Sequence, residues 1–360
     1  MDLIFGAVPT RESVRTYAYH APPLSLCERL FLDRFWSALP GHIYPRWLAP
    51  NVITMGGLGA AASAAALVLR RSPAMDASAP RWCYGAAAGL LWVYQTLDGS
   101  DGKQARATRS GSALGELMDH GVDALTTVFV TAASMDLAGY GARDWRTWVP
   151  VLTSCGGFFL SNLVLIHKGV QDFFDLDIQE LLLWTQASFA LAAWRGPAFL
   201  RSTVGGVELR AVLAAVGSGG AACNCVVHLR SALAARRTKI TAQLLLLGGF
   251  LGALALNVAV ADPGVPAAAF SGPLVVAATA AFGDASRRLL QQRVGVPPSK
   301  RWSLTPTVAL LAGLAFVKAP DARWAVAGAA AALFVAGAAR SARAMADALD
   351  VAVFTIRAPE

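Results

Sequence analysis

Apolar runs of about 20 residues recur along this chain, parted by breaks of only a few polar, Pro or Gly residues. In lipid every backbone amide must find its partner within its own segment, so such runs can only be helices. Ten of them are read as spans: 50–70, 82–106, 113–135, 147–167, 179–196, 209–229, 240–261, 264–286, 303–319 and 322–342. With 55% hydrophobic and 15% charged residues among 360, the composition agrees. The predicted fold class is an all-α, polytopic membrane protein of about ten transmembrane helices.

The opening twenty residues have neither a basic leader nor a long apolar core, so no cleaved signal is expected and the first span does the targeting. The five cysteines, Cys27, Cys83, Cys155, Cys223 and Cys225, form no CxxC pair and are read as small apolar fillers. A net charge of +8 would suit nucleic acid, but the basic residues are dispersed among short loops, and no nucleic-acid partner is expected. Membrane orientation accounts for them better. With the N-terminus in the cytoplasm, about two thirds of the 31 Lys and Arg fall on that side. That places 98–113 at the cytoplasmic face, although Arg70, Arg71 and Arg81 then lie opposite.

Before the first span, residues 25–50 mix apolar, aromatic and charged side chains in the manner of an interfacial amphipathic helix, broken by Pro45 and Pro50. Asn51 is expected as the N-cap of the first span or as a substrate contact. Gly56 to Ala61, "GGLGAA", follows no strand and reads as close helix packing rather than a nucleotide loop. The acidic 168–180 stretch reads as a solvated loop. The expected divisions are an N-terminal cytoplasmic and interfacial segment (1–48), catalytic transmembrane helices (49–230), additional transmembrane helices (231–345) and a tail (346–360).

Between the second and third spans, "LDGSDGKQARATRSGSALGELMDHGVDA" holds five carboxylates, three basic residues and a histidine. On a helix at about 100° per residue, Asp98, Asp101, Gly102, Ala105 and Arg106 share one arc, and Glu116, Asp119, His120 and Asp123 share another. Two acidic faces can thus confront each other across the turn at Ser110 to Ser112. Four aspartates in a low dielectric repel unless something positive sits among them, and Mg²⁺ takes carboxylate and phosphate oxygens. Gly102, Ala105 and Gly115 leave space for a diphosphate beside the backbone, and Arg106 and Lys103 supply an anion site. Glu116, one turn before His120, could orient it as a general base. An ion-pair cluster or a cation pathway in a transporter is the plainer alternative.

The set Asp98, Asp101, Gly102, Ala105, Arg106, Gly115, Asp119 and Asp123 matches DxxDGxxAR, eight residues, GxxxDxxxD, and so resembles the CDP-alcohol phosphotransferase family. The wording "DGKQAR" and "LGELMDHG", and "PRWLAPNVIT" before the first span, is similar to its eukaryotic choline and ethanolamine phosphotransferase branch. The acidic, Asn-Gly-Pro-containing stretch usual after the fourth span in that branch is absent; "IHKGVQDFFDLDIQE" stands in its place.

The resemblance implies transfer of phosphocholine or phosphoethanolamine from CDP-choline or CDP-ethanolamine to diacylglycerol, or an alkyl-acyl or alkenyl-acyl relative, releasing CMP. It implies two Mg²⁺ or Mn²⁺ ions on Asp98, Asp101, Asp119 and Asp123. Gly102, Lys103, Ala105, Arg106, Gly115 and Asn51 would contact the nucleotide substrate. His120 is preferred as base, with Asp123 the family's usual alternative, because a metal-free imidazole titrates near neutrality. A homodimer in the endoplasmic reticulum or Golgi, with its site facing the cytoplasm, is implied by the same analogy. A phosphatidylinositol or phosphatidylglycerophosphate synthase is the alternative within the superfamily.

Overall fold

The computed structural model describes residues 23–172, 178–235, 240–296 and 305–356, with the isolated positions 10, 12 and 20. These residues are nearly all α-helical. A π-turn at Glu28–Leu32 leads into α1 (Asp33–His42), which breaks at Pro40 and Gly41. Then follow α2 (Pro50–Arg71), α3 (Arg81–Thr108), α4 (Ala113–Asp136), α5 (Trp145–Lys168), α6 (Ile178–Arg195) and α7 (Leu209–Ala234). The last four are α8 (Thr241–Ala259), α9 (Ala267–Leu290), α10 (Pro306–Leu314) and α11 (Pro320–Leu349). Each predicted span overlaps one of α2 to α11, with 303 and 304 of the ninth outside the described residues. A two-stranded hairpin, Thr203–Val204 with Val207–Glu208, turns through Gly205 and Gly206, both with positive φ.

Six helices, α2, α5, α7, α8, α9 with its following turn, and α11, are long and apolar enough to cross a membrane. The helices that carry the acidic motif, α3 and α4, fall outside that set, as does α6. The predicted 303–319 span is realised as the nine residues of α10, about 14 Å of helix, half of what a bilayer core requires. Pro306 starts it and Thr305 caps it, the threonine hydroxyl accepting from Val308 N.

Two apolar cores hold the helices together. One is built from α2, α3, α4 and α6, with Tyr84, Ala87, Leu91 and Phe189 fully buried. The larger draws on α5 and α8 to α11, around Phe159, Phe250, Phe270 and Phe282. Gly57 of α2 lies against Tyr94 and Leu97 of α3, so "GGLGAA" serves helix packing, as expected. α4 contacts helices of both groups, packing on α2, α5, α9 and α11, and it carries half of the motif.

Candidate active site

The turn between α3 and α4 is held at both ends. Arg109, in the left-handed region, closes α3, and Ser112 caps α4 by accepting from Gly115 N at 3.2 Å. The two helices thereby bring Asp98, Asp119 and Asp123 together, with one carboxylate oxygen of each within 4.8 Å of the others. Among the described residues no Lys or Arg forms an ion pair with these three. Three converging carboxylates without a cation suit a hard divalent ion, which neutralises them and takes oxygen ligands.

The local partners fix the carboxylates rather than neutralise them. Tyr94 donates its hydroxyl to Asp123 Oδ1 at 2.9 Å and also meets Thr126 Oγ1 at 2.9 Å. Gln179 of α6 stands beside Asp98 and is tied by Gln95 Nε2 at 2.7 Å, while Gln186 donates to Gln95 at 2.8 Å. Asp101 is a neighbour of the trio outside the group that converges within 4.8 Å. It accepts a short bond from Thr54 Oγ1 of α2, and next to it Ser100 meets Tyr44 Oη at 2.8 Å. Burial raises the pKa of the Tyr44 phenol, which therefore stays protonated.

A cavity of about 300 Å³ opens from the trio. His120 and Glu116 line it beside the trio, and its other walls mix apolar side chains such as Phe158 and Leu182 with polar ones such as Thr131, Ser161 and Asn224. His120 Nδ1 is buried without a hydrogen-bond partner among the described residues. A histidine with an unpartnered ring nitrogen therefore stands in the wall of a chamber that also holds the three carboxylates.

Three of the candidate side chains meet partners from distant parts of the chain. Asn51 is not the helix cap: Ala49 holds that position with Pro50 at the first helical site, and Asn51 Nδ2 instead donates to Val353 O at 2.6 Å. Glu116 does not orient His120; its carboxylate pairs with Arg293 at 3.7 Å. Lys103 is engaged by Asp33 of α1 at 2.5 Å, where it pins α1 on α3. Arg106 is exposed and lies near Gly102, and Ala105 is half-buried on the same helix.

The glycines divide by what surrounds them. A Cβ on Gly99 would strike the buried Trp36 ring, so that glycine serves packing. A Cβ on Gly102 or Gly115 would meet only Arg106 Nη1 at 3.7 Å or Asn51 Oδ1 at 3.8 Å, ordinary contact distances. Helix packing does not require glycine at either place.

Residues 47–172 match the family described as CDP-alcohol phosphatidyltransferase. That segment is similar to a CDP-alcohol phosphatidyltransferase domain. The chain is similar to an uncharacterized CDP-alcohol phosphatidyltransferase class-I family protein 2 of Dictyostelium discoideum, 37% identical over 161 residues, 44% of this chain and 38% of the relative. Cholinephosphotransferase 1 of Danio rerio is 36% identical over 180 residues, 49% of this chain and 46% of the relative. Choline/ethanolaminephosphotransferase 1 of Saccharomyces cerevisiae is 36% identical over 159 residues, 43% and 39% respectively. The chain spans about half the length of the curated relatives it matches.

The matched segment includes α2 to α5 and every residue of the motif. Arg293, Gln179 and Gln186 lie outside the matched segment and were missed by sequence reasoning, as was Tyr94 within it. Tyr94 sits one turn before Asp98, a spacing that places it on the motif's face of α3; that signal was present in the sequence. Nothing local marks the other three.

Proposed function

We propose that the protein transfers the phosphoalcohol of CDP-choline or CDP-ethanolamine to the hydroxyl of diacylglycerol or an alkyl-acyl or alkenyl-acyl relative, yielding phosphatidylcholine or phosphatidylethanolamine and CMP. The convergence of Asp98, Asp119 and Asp123 without a positive partner carries this reading, and the names of the relatives support it.

Asp98, Asp119 and Asp123, with Asp101 beside them, would hold two Mg²⁺ or Mn²⁺ ions, which when bound offset charge on the diphosphate and on the departing CMP. Gly102 and Gly115 leave the backbone approachable, and Ala105 adds little bulk. Arg106 serves in this reading as a contact for the phosphates, and Lys103 and Asn51 would join it on exchanging Asp33 and Val353 O for the nucleotide. The acceptor hydroxyl oxygen forms a bond to the phosphorus bearing the alcohol, the bond from that phosphorus to the CMP oxygen breaks, and His120 Nδ1 takes the hydroxyl proton. Asp123, anchored by Tyr94, is the alternative acceptor of that proton.

An aqueous nucleotide and a lipid alcohol must meet at one place. A cavity that joins the carboxylates to walls carrying Val130, Phe158, Leu165 and Leu182 among polar side chains suits that meeting. All ten helices α2 to α11 belong to the membrane domain in this reading, and residues 25–48 lie in the interface. Exposed Leu30, Phe31, Ile43 and Trp47 support the interfacial placement, and the distribution of basic residues supports a cytoplasmic site. The test is an assay of the purified protein with CDP-choline and CDP-ethanolamine against several diglycerides. Lipid product and CMP in equal amounts are expected; no CMP release with any combination would overturn the assignment.

A further inference from the structure

Glu116 lies three residues before Asp119 and four before His120, on one face of α4 and at the wall of the same cavity. It is a fifth acid at the site, and its partner comes from far along the chain. Arg293 belongs to the 3₁₀ turn Gln291–Val294 that follows α9. Its Nε lies 3.7 Å from Glu116 Oε2, with side-chain exposures of 14% and 7%. Its Nη2 donates to Gly169 O at 3.0 Å, at the residue that ends α5. Val294, next in sequence, is buried with Ala113 and Leu114 in the first turn of α4. The turn is therefore seated on the motif helix, and the guanidinium is held by two partners at once.

We propose that Arg293 is a positioning residue of this site: it keeps the Glu116 carboxylate as its own counter-ion, out of the cation-binding set of Asp98, Asp119 and Asp123. The inference rests on the divalent-cation reading above. An unpaired Glu116 would place an additional negative charge beside the trio in a partly desolvated setting, where such a charge acts strongly. It would draw a divalent cation more tightly and repel the diphosphate of the nucleotide substrate. The two effects have opposite signs, whereas loss of packing would weaken both.

The experiment measures Mn²⁺ binding to the purified full chain by electron paramagnetic resonance, together with the KM for the CDP-alcohol. Arg293→Ala should bind Mn²⁺ several-fold more tightly while the KM rises about tenfold, the scale of one partly screened charge. Adding Glu116→Gln to that variant should return both quantities toward the original values. Glu116→Gln alone leaves the guanidinium uncompensated and should shift both the opposite way, which keeps the test open should Arg293→Ala fold poorly. Unchanged Mn²⁺ affinity in Arg293→Ala and in Glu116→Gln would overturn the proposal, as would weaker metal binding joined to a higher KM in Arg293→Ala. Absence of Mn²⁺ binding in the unaltered protein would instead overturn the cation reading on which it rests.

Discussion

Among the acids embedded in this helical protein, two groups are treated in opposite ways. Asp284 of α9 is 3% exposed, pairs with Arg287, accepts from Arg288 Nε at 3.1 Å and takes a further bond from Thr307 at 3.1 Å. Each oxygen of that carboxylate meets a guanidinium, as a buried charge in a stable fold requires. Asp98, Asp119 and Asp123 face one another instead, steadied by Tyr94 and Gln179 with no Lys or Arg ion pair among the described residues. Charge neutralised by the chain itself holds helices together. Charge left for something else to neutralise marks the place where the chain acts.

That contrast can be broken by exchanging charge for amide at the two places. Asp119→Asn or Asp123→Asn should lower kcat by about 10³-fold or more, since each removes a ligand for the charge-stabilising ion, while thermal stability in EDTA holds or rises as repulsion is relieved. Asp284→Asn should do the reverse, costing about 3–5 kcal/mol of stability by leaving two buried guanidinium groups undercompensated. Its kcat per folded molecule should stay near that of the parent. Denaturant melts and rates on the same preparations decide the matter, and equal loss of stability at both places would erase the distinction.

Within the site, the contrast sharpens on residues that carry no metal role. His120→Ala should lose about 10² to 10⁴ in kcat, the range for a general base, while Mn²⁺ binding survives. A near-normal kcat would return the proton to Asp123. Smaller again is the effect of Gly115→Val, which should raise the CDP-alcohol KM about tenfold by displacing the diphosphate from the backbone. Val is no worse than Gly in a helix, so melting should be unaffected. Unchanged kinetics would mean that the space at Gly115 is not used.

Much of this arrangement was legible in the chain. Helix positions follow from apolar runs, and the 3.6-residue period alone put Asp98 on one face and Asp119 and Asp123 on another, where α3 and α4 carry them. What escaped were contacts that join residues distant in sequence. Lys103 looks like a phosphate ligand until Asp33, 70 residues earlier, is found on it. Glu116 has His120 as its helical neighbour, yet its partner comes from the turn after α9. Asn51 sits where a cap is expected, but Pro50 starts the helix and the amide reaches the backbone of Val353, 302 residues away. The length of α10 was missed because hydropathy averages over the turn residues that end it.

The most direct test of the central claim is CMP release from CDP-choline or CDP-ethanolamine with diacylglycerol, measured on the purified protein in excess EDTA and again after Mg²⁺ or Mn²⁺ is restored. Three convergent carboxylates with no Lys or Arg ion pair among the described residues predict that turnover vanishes in EDTA and returns with either ion. Full turnover in EDTA would contradict the account.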